Sequence, residues 1–555
     1  MPARDSRPLR APGRPLADVA ALVGAPVPEG AERLVVTGVV LDSRRARPGD
    51  LYAALPGART HGARFAEQAA ALGAAALLTD PEGARLAAEG GAAGLPAVVV
   101  DDPRSVLGAA SALVWGEPAQ HLQVLGVTGT NGKTTVTTLL ESALEQLGTP
   151  TALVGTVCTR IAGEELPSAR TTPEAPDLHA LLALAVERGA RAAALEVSSH
   201  AVVLHRVDGL VLDVAAFTNL SQDHLDFHPT MQDYFEAKAA LFTPERARAA
   251  VVCTDDAWGR LLAERSRAAG VPTTTVTTTT TAAGGPADGP EVAADWSVDP
   301  AAVRERSDGR PGSAFELIGP GGLRVRAASP LPGTFNVANT AVAVAVLAAS
   351  GHDPAAAAAA LAAARGVPGR MEVVVPATGP SGASAGEGSG GASGLPVGVV
   401  DYAHTPDAVA AALAALRPST AGRLVVVLGA GGDRDPGKRP AMGAAAAAGA
   451  DAVVVTDDNP RSEDPAAIRA AVLAGAAGAA ATAADVDATE VLEVADRHEA
   501  IARGVALALA GGPGGTVLVA GKGHERGQEV AGAVHPFDDR HELAAALAAA
   551  QEVRA

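Results

Sequence analysis

The feature that most constrains the fold of this chain is a glycine-rich loop between an apolar run and a helical pattern. The run Leu122–Val127 is typical of a β-strand, and Gly129 and Gly132 interrupt the chain before Lys133. Apolar residues then recur at helical spacing through the next fourteen or so positions. A strand, a glycine-rich turn and a helix in this order predict a phosphate-binding loop on a parallel α/β sheet.

The residues of this loop have the chemistry that phosphate requires. Glycines let backbone N–H groups approach phosphate oxygens, and the helix N-terminus adds a favourable dipole. Lys133 supplies positive charge, and the hydroxyl of Thr134 can bind Mg²⁺. The loop departs from the strict pattern, since Val127 stands where a glycine is expected and Gly126 lies one residue earlier. Alone, the loop predicts nucleotide binding and leaves transporter, GTPase, kinase and ligase open.

Three segments of different pattern follow one another along the 555 residues, which predicts three α/β domains. Residues 1–121 predict a smaller N-terminal α/β domain. Residues 122–366 predict a central domain with a parallel sheet of the phosphate-loop ATPase type, and residues 367–555 a Rossmann-like C-terminal α/β domain. Two stretches rich in Thr, Gly, Ser and Pro, at 273–290 and 377–396, are predicted to be flexible surface insertions.

Composition limits the classes of partner and the compartment. The chain has 44 Lys and Arg against 62 Asp and Glu, and this acidic balance argues against nucleic-acid binding. No run of about 18 strongly apolar residues is present, so no membrane insertion is expected, and the N-terminal stretch lacks the apolar core of a signal peptide. Cys158 and Cys253 are the only cysteines, which is typical of a cytoplasmic protein.

Candidate metal ligands lie downstream of the phosphate loop. Glu196 closes an apolar run, and an acidic residue at the end of a strand beside the loop is well placed to hold Mg²⁺. His224 and Lys238 follow in NLSQDHLDFH and YFEAKAALF. Taken singly, each is more typical of a surface histidine or a solvated helix lysine.

The motifs GVTGTNGKTT, EVSSHA, NLSQDHLDFH and YFEAKAALF, in this order and spacing, resemble the central ATPase domain of the Mur ligase family. The resemblance implies that Mg²⁺ is held near the γ-phosphate by Thr134, Glu196, His224 and a Lys238 carbamylated by CO₂, with Lys133 also catalytic. Carbamylation makes chemical sense, because an ammonium repels Mg²⁺ whereas a carbamate is an anionic oxygen ligand. The residues that the resemblance assigns to ATP are Gly129, Thr130, Asn131, Gly132, Lys133, Thr134, Thr135, Asn336 and Asn339.

The C-terminal third contains DYAHTPDAV, GAGGDRDPGKRP, TDDNPRSEDP and AGKGHE, three of which follow strand-like runs. Ligands bind at the carboxyl ends of strands in open parallel sheets, where such loops meet. Positive charge is expected to concentrate there, from Arg434, Lys438, Arg439, Arg461 and Lys522. The motifs resemble the diaminopimelate-adding branch of the family, whereas lysine-adding relatives lack the arginine at position 461. The implied contacts of the incoming amino acid are Arg434, Asp458, Asn459, Pro460, Arg461, Gly521 and Glu525.

The N-terminal motif VLDSRRARPGDLYAAL is similar to the family's uridine-nucleotide-binding domain. The resemblance implies a UDP-muropeptide site, and Leu204 stands where some members have a polar contact. The implied muropeptide contacts are Leu41, Ser43, Thr171, Thr172, Ser198 and Arg206.

The resemblance therefore implies a monomeric, ATP-dependent ligase. Its reaction would join diaminopimelate to the D-glutamate γ-carboxylate of UDP-N-acetylmuramoyl-L-alanyl-D-glutamate through an acyl phosphate, in peptidoglycan synthesis. A lysine-adding Mur ligase and a folate polyglutamate ligase remain alternatives, because the ATPase motifs do not define the acceptor. A nucleotide-binding regulatory or scaffold protein without turnover is the alternative from another class.

Overall fold

The computed structural model describes residues 7–9, 11–166, 170–225, 227–279, 294–308, 311–376, 395–482 and 489–554. Within these residues, strands and covering helices form three larger sheets in succession along the chain. The predicted α/β class, with a smaller N-terminal sheet and two larger ones, is confirmed.

The N-terminal part is built on a short parallel sheet. Its strands are β1 (Arg14–Pro15), β2 (Val35–Val36), β3 (Gly38–Val40), β4 (Asp50–Ala54), β5 (Ala76–Thr79) and β6 (Ala97–Val99). Its α-helices are α1 (Leu16–Leu22), α2 (Ala66–Ala71), α3 (Pro81–Ala87) and α4 (Pro103–Val114). Strands β3, β4, β5 and β6 pair in that order, and β1 pairs with β2 in an antiparallel ladder.

The central part contains the longest sheet. Its strands are β7 (Gln123–Thr128), β8 (Thr151–Val154), β9 (Thr159–Ile161), β10 (Glu164–Leu166), β11 (Ala192–Glu196), β12 (Val214–Phe217), β13 (Ala250–Cys253), β14 (Thr273–Thr277), β15 (Trp296–Val298), β16 (Arg304–Glu305), β17 (Ser313–Ile318) and β18 (Arg324–Ser329). Its α-helices are α5 (Lys133–Gln146), α6 (Ala175–Glu187), α7 (Ser199–Val203), α8 (Met231–Ala239), α9 (Ala257–Ala268), α10 (Thr334–Ala349) and α11 (Pro354–Ala362).

The phosphate loop lies in the middle of this central sheet. Strand β7 is flanked in parallel by β11 and β12, and Glu196 pairs in register with Val127. The last residue of β11 is therefore brought to the same sheet edge as the loop that follows β7. Helix α10 packs across this sheet and is buried along most of its length, and Ala and Val fill 10 of its 16 positions.

The C-terminal part is a second open parallel sheet. Its strands are β19 (Glu372–Val374), β20 (Val397–Asp401), β21 (Leu424–Leu428), β22 (Ala452–Val455), β23 (Glu490–Glu493), β24 (Thr516–Ala520), β25 (Gly527–Val530) and β26 (Ala533–Pro536). Its α-helices are α12 (Pro406–Leu416), α13 (Lys438–Gly449), α14 (Pro465–Thr482), α15 (Arg497–Ala510) and α16 (Asp539–Arg554). The pairing order is β19-β20-β24-β21-β22-β23, antiparallel only at β19, and β25 and β26 form a separate hairpin.

The prediction of a flexible insertion at 273–290 is wrong for its first residues. Thr273–Thr277 forms β14, which lies between β13 and β15 in the central sheet. Threonine and valine are β-branched and suit a half-buried strand, and Val276 is fully buried there. Residues 280–290 lie outside the described part of the chain, as do 377–394 of the second predicted insertion. Leu395 and Pro396, which end that insertion, are buried.

Among the helices of the described residues, none combines the length and apolar character needed to cross a membrane.

Candidate active site

Two glycines of the phosphate loop are required by close contacts. Gly129 has φ +147°, and a Cβ added there would lie 1.9 Å from the Thr218 Oγ1 atom. Gly132 has φ +87°, and a Cβ there would lie 2.3 Å from the Asn339 Oδ1 atom. The loop is thus pressed between the end of β12 and the start of α10, and only glycine fits at either position.

A second segment, Thr218–Ser221, supports the loop through hydrogen bonds that the sequence motifs did not predict. The Asn131 backbone N–H donates to Asn219 Oδ1 at 3.0 Å, and Thr218 Oγ1 donates to the Asn131 carbonyl at 2.6 Å. The Ser221 N–H donates to Thr130 Oγ1 at 3.0 Å. These bonds leave the loop backbone held from one side before any nucleotide binds.

Lys133 is folded back over its own loop. Its Nζ donates to the carbonyls of Gly129 at 2.9 Å and Thr130 at 2.8 Å. Burial lowers the pKa of Lys133, and Glu196 and Asp223 act against that shift. The ammonium therefore lies where a phosphate oxygen can take over from the two carbonyls.

The carboxylate of Glu196 is held by hydroxyl and amide donors. Its Oε2 atom accepts hydrogen bonds from Thr134 Oγ1 and Thr156 Oγ1, both at 2.9 Å, and its Oε1 atom accepts one from the Thr156 N–H at 2.7 Å. Glu196 is 1% exposed. The predicted metal residues Thr134 and Glu196 are thus brought together, and Thr156 is an addition that no motif indicated.

Lys238 is buried against the phosphate loop rather than exposed on α8. Its Nζ donates to the Gly129 carbonyl at 2.8 Å and lies 4.4 Å from the centre of the Tyr234 ring. Burial lowers the pKa of Lys238 well below its ordinary value, and Lys133 lowers it further, against the attraction of Asp223. The solvated-lysine alternative is therefore wrong, and a neutral amine is favoured at this position.

His224 lies at the rim of the site in a strained backbone conformation. Its φ is +56°, which is unusual for a non-glycine residue. Desolvation lowers the pKa of His224 to about 4 against the attraction of Asp223, whose Oδ2 lies 3.5 Å from His224 Nε2. Within the described residues, no group of three His, Cys, Asp or Glu side chains is arranged to hold a metal.

The two predicted adenine-side asparagines lie at the start of α10. Asn336 Nδ2 donates to the Pro332 carbonyl at 2.8 Å, and Asn339 Nδ2 donates to Asn336 Oδ1 at 3.1 Å. Both side chains are buried. Asn339 also contacts Gly132, so the structure brings this pair to the phosphate loop.

A cavity of about 700 Å³ lies between the N-terminal sheet and the central part. Leu41 and Ser43 line it, as predicted for the muropeptide site, together with Tyr52, Arg170 and Glu174. The Ser43 hydroxyl donates to Gln68 Oε1 at 2.8 Å. The cavity therefore offers both apolar surface and polar groups to a large ligand.

The remaining predicted muropeptide residues lead from this cavity to Glu196. Thr171 Oγ1 accepts a hydrogen bond from Thr156 Oγ1 at 3.0 Å. Thr172 Oγ1 donates to the Glu196 carbonyl at 2.7 Å and accepts from the Ser198 N–H at 3.1 Å. Arg206 Nη1 lies 3.4 Å from the Thr172 carbonyl.

Glu174, which the sequence motifs did not indicate, contacts three arginines beside the cavity. Glu174 lies 3.3 Å from Arg104, 2.5 Å from Arg170 and 3.0 Å from Arg206, measured between the nearest side-chain nitrogen and oxygen atoms. Glu174 therefore brings three guanidinium groups together beside the cavity. Such a group suits an anionic ligand in the adjoining cavity.

The loops after β22 and β24 meet at the carboxyl edge of the C-terminal sheet. Asn459 Nδ2 donates to Glu525 Oε2 at 2.7 Å, and Lys522 Nζ donates to Asn459 Oδ1 at 2.9 Å. A Cβ at Gly521 would lie 2.5 Å from Asp458 Oδ2. Asp458, Asn459, Gly521 and Glu525 therefore form one cluster, as the motifs predicted.

Arg461 is fixed by the β25–β26 hairpin, which no motif indicated. Its φ is +51°, its N–H donates to the Glu529 carbonyl at 3.0 Å, and its carbonyl accepts from the Ala531 N–H at 2.7 Å. Its Nη1 donates to the Gly432 carbonyl at 2.5 Å. The start of α14 is capped instead by Asp464, which accepts from the Ala466 N–H. A helix-capping role for Arg461 is therefore excluded.

The predicted concentration of free positive charge is only partly correct. Arg439 is buried and pairs with Glu463 through two nitrogens, at 2.8 and 2.9 Å. Lys522 is 0% exposed and is held by the acidic cluster. Both cations are neutralised because burial without a counter-charge is costly. Arg434 is exposed and Arg461 is partly exposed, and Pro460 is buried beside Gly432.

Arg370 links the central and C-terminal parts and was not singled out from the sequence. Its Nη2 donates to Thr134 Oγ1 at 3.2 Å, and its guanidinium lies 4.3 Å from the centre of the Tyr402 ring. Its buried Nε has no hydrogen-bond partner among the described residues. The Tyr402 hydroxyl in turn lies 3.5 Å from Glu525 Oε1. Arg370 thus links the phosphate loop to Tyr402, which lies beside Glu525 in the loop after β24.

Comparison with known proteins identifies the family. Models described as Mur ligase family catalytic domain, Mur ligase middle domain, and Mur ligase glutamate ligase domain match residues 35–115, 127–347 and 389–523. A Streptomyces coelicolor protein named UDP-N-acetylmuramoyl-L-alanyl-D-glutamate–2,6-diaminopimelate ligase is 51% identical over 542 residues, 98% of each chain. The chain belongs to the Mur ligase family. The resemblance of its motifs to that family is confirmed, and this Mur ligase is an enzyme of the ligase class.

Two further proteins are similar to this Mur ligase over most of its length. A Corynebacterium glutamicum protein of the same name is 47% identical and covers 92% of each chain. A solved structure described as that of UDP-N-acetylmuramoyl-L-alanyl-D-glutamate–2,6-diaminopimelate ligase is 32% identical. It covers 96% of this chain and 99% of its own, with a TM-score of 0.63.

Proposed function

We propose that this Mur ligase adds 2,6-diaminopimelate to the D-glutamate γ-carboxylate of UDP-N-acetylmuramoyl-L-alanyl-D-glutamate, with cleavage of ATP to ADP and phosphate. The observation that carries the proposal is a continuous line of contacts that starts at the phosphate loop. It ends at the loops after β22 and β24, here called the acceptor loops because we propose that they bind the incoming amino acid. It runs from Thr134 through Arg370 and Tyr402 to Glu525. An amino acid held by the acceptor loops would therefore face a carboxylate activated at the phosphate loop.

The chemistry begins with activation of the substrate carboxylate. The γ-carboxylate oxygen attacks the γ-phosphorus of ATP, and ADP leaves, which gives an acyl phosphate. Lys133 and Arg370 are placed to neutralise the charge that develops on the transferred phosphoryl group. Catalysis then consists mainly of positioning and charge neutralisation.

The second step forms the amide. The neutral amine of diaminopimelate attacks the acyl carbon and a tetrahedral intermediate forms. The bond from the acyl carbon to the phosphate oxygen then breaks, and phosphate leaves with the electron pair. The amine loses its proton during this step. The arginines around Glu174 and the cavity beside them support the placement of the anionic UDP-muropeptide.

A divalent cation fits the residues beside the phosphate loop. The oxygens of Glu196 and Thr134 already lie together, and oxygen atoms are the ligands that Mg²⁺ prefers. The ammonium of Lys238 does not fit such a site, but its lowered pKa favours the neutral amine that CO₂ requires. We infer that Lys238 carries a carbamate and that Thr134, Glu196 and His224 complete the site. Mg²⁺ would supply charge neutralisation at the phosphates.

Selection of the acceptor is assigned to Arg461. The backbone of Arg461 is fixed by the β25–β26 hairpin. Its side chain is partly exposed, and its Nε atom lies 3.5 Å from Glu529 Oε2. A guanidinium presents paired donors that match a carboxylate, and diaminopimelate differs from lysine by one distal carboxylate. The names of the relatives support the same acceptor.

The organisation of the molecule is proposed on the same basis. The three sheets lie within residues 38–99, 123–329 and 372–520. This supports domain limits of 1–121, 122–366 and 367–555 for muropeptide, ATP and amino acid. A monomer is proposed as well, and a cytoplasmic location because ATP and UDP-linked substrates are supplied there.

The test is ADP release by the purified protein with ATP, Mg²⁺, the UDP-muropeptide and a panel of amino acids. We expect turnover only when the muropeptide and diaminopimelate are both present. Turnover with lysine in preference to diaminopimelate would identify a lysine-adding ligase. Turnover with a folate and glutamate would identify the other alternative, and nucleotide binding without turnover would contradict an enzymatic role.

A further inference from the structure

Arg497, the first residue of α15, is a buried cation that the proposed chemistry does not use. It is 2% exposed, and its side chain and that of Asp539 are both fully buried in their ion pair. Arg497 Nε donates to Asp539 Oδ1 at 2.8 Å, and Nη2 donates to Oδ2 at 2.7 Å. This bidentate geometry fixes the plane of the guanidinium.

The other donors of this guanidinium reach two backbone carbonyls. Arg497 Nη2 donates to the Ala520 carbonyl at 3.0 Å, and Nη1 lies 3.3 Å from the Asp457 carbonyl. Ala520 is the last residue of β24 and directly precedes the Gly521–Glu525 loop. Asp457 directly precedes the Asp458–Arg461 loop. One rigid group therefore ties the starting points of both acceptor loops.

The two loops are also joined on their outer side, where the amino acid is proposed to bind. The side chain of Asn459 bonds to Glu525 and to Lys522, at 2.7 and 2.9 Å. These bonds need the backbones of the two loops at a set separation. Arg497 holds the two backbones at that separation where the loops begin. Its ion pair with Asp539 anchors the guanidinium to the start of α16.

We infer that Arg497 is a positioning residue that sets the geometry of the amino-acid acceptor site without contacting the amino acid. The inference rests on the proposed function of that site. The alternative is a pair that only stabilises the fold. The two can be separated, because a buried ion pair can often be replaced by apolar residues of similar size without loss of stability.

The experiment is the double variant Arg497→Met with Asp539→Leu, assayed by ADP release and by thermal unfolding. The apolar pair keeps the volume and removes both buried charges, so a Tm near that of the wild type is expected. The carbonyls of Ala520 and Asp457 lose their shared donor. We expect the KM for diaminopimelate to rise about tenfold or more, because small displacements of binding groups are costly. The KM values for ATP and the muropeptide should change less than about twofold, since the phosphate loop lies in another sheet.

A matched control lies at the opposite edge of the same sheet. Arg423 Nη2 donates to Glu490 Oε2 at 2.6 Å, near the amino ends of β21 and β23. The double variant Arg423→Met with Glu490→Leu should leave all three KM values unchanged. Arg497→Lys keeps the charge but not the planar fork, and it should also raise the KM for diaminopimelate.

The outcomes distinguish this inference from the proposed function. An unchanged KM for diaminopimelate in both Arg497 variants, with active wild type, would overturn the positioning role. If the double variant does not fold, Arg497→Lys decides the question by the same KM. A wild-type protein without diaminopimelate-dependent ADP release would contradict the proposed function itself.

Discussion

Two lysine side chains converge on one carbonyl oxygen in the phosphate loop. The Nζ atoms of Lys133 and Lys238 lie 2.9 and 2.8 Å from the Gly129 oxygen, and the pKa of each is lowered mainly by burial. Two ammonium groups so close would repel each other. Burial and the charge of Lys133 both lower the pKa of Lys238, so we expect Lys133 to carry the charge and Lys238 to supply the neutral amine.

The two lysines should therefore respond differently to the same chemical rescue. Lys238→Ala should be nearly inactive and should partly recover ADP release when short carboxylates such as acetate are added, because these can replace carbamate oxygens. Lys133→Ala should be equally inactive but not rescued, because it lacks a positive charge rather than an oxygen ligand. Intact-protein mass spectrometry that found only unmodified Lys238 in an active preparation would contradict the carbamate.

Arg461 offers a second prediction for a single residue. Diaminopimelate can accept hydrogen bonds from this guanidinium through its distal carboxylate, which lysine lacks, and a hydrogen bond between charged groups contributes about 1.5–3 kcal/mol. Arg461→Ala should therefore reduce the kcat/KM ratio of diaminopimelate to lysine by about tenfold to a few hundredfold. Asp464→Ala removes the cap of α14 and should lower stability by about 1 kcal/mol while keeping the ratio. An unaltered ratio in Arg461→Ala would remove this residue from acceptor selection.

At the scale of elements, the phosphate loop depends on glycine where another segment presses against it. Gly129→Ala would place a Cβ 1.9 Å from Thr218 Oγ1, so the loop must move. We expect ATP affinity to fall by about tenfold or more, because backbone N–H groups no longer fit the phosphates. Gly148→Ala also has positive φ but meets no atom within 4 Å, so it should lower stability and leave ATP affinity intact. Isothermal titration with ATP compares the two.

Elements with a strong local pattern could be predicted from the sequence. Strand β7, Gln123–Thr128, is shifted by one residue from the predicted run Leu122–Val127, and the helix after Gly132 begins where the motif indicated. Strand β14 was missed, because a run of threonines resembles a linker until its neighbours β13 and β15 are known. Strand pairing is a non-local property, and the threonine composition misled the prediction.

The site residues that the sequence did not predict were missed for the same reason, because their roles depend on non-local contacts. Arg370 lies in a short segment without a motif, and its importance arises from contacts with Thr134 and Tyr402, which are distant in sequence. The β25–β26 hairpin has no chemical signature, yet it fixes the backbone of Arg461. Residues with their own chemistry were predicted, whereas residues that act through their neighbours required the structure.

At the scale of the whole molecule, Arg370 is a direct connection between the central and C-terminal parts. Arg370→Ala should lower kcat strongly, because it removes a cation at the phosphoryl group and breaks the contact with Thr134. Arg365→Ala, an exposed arginine in the same linking segment, should have wild-type kinetics. Steady-state ADP release with both variants is the measurement, and equal kcat values would contradict a role for Arg370 in the reaction.

The contact between Gly132 and Asn339 also affects how the chain acquires its ligand during synthesis. The phosphate loop emerges from the ribosome early, but the residues that shape it extend through 218–221 and on to Asn339. A nascent chain that ends before Asn339 lacks one wall of the nucleotide site. ATP can stabilise only chains that already contain that wall, since a ligand stabilises the state that binds it. In a series of truncated chains, ATP should therefore protect from proteolysis only those that extend past the start of α10. ATP would then stabilise the central domain only late in its synthesis.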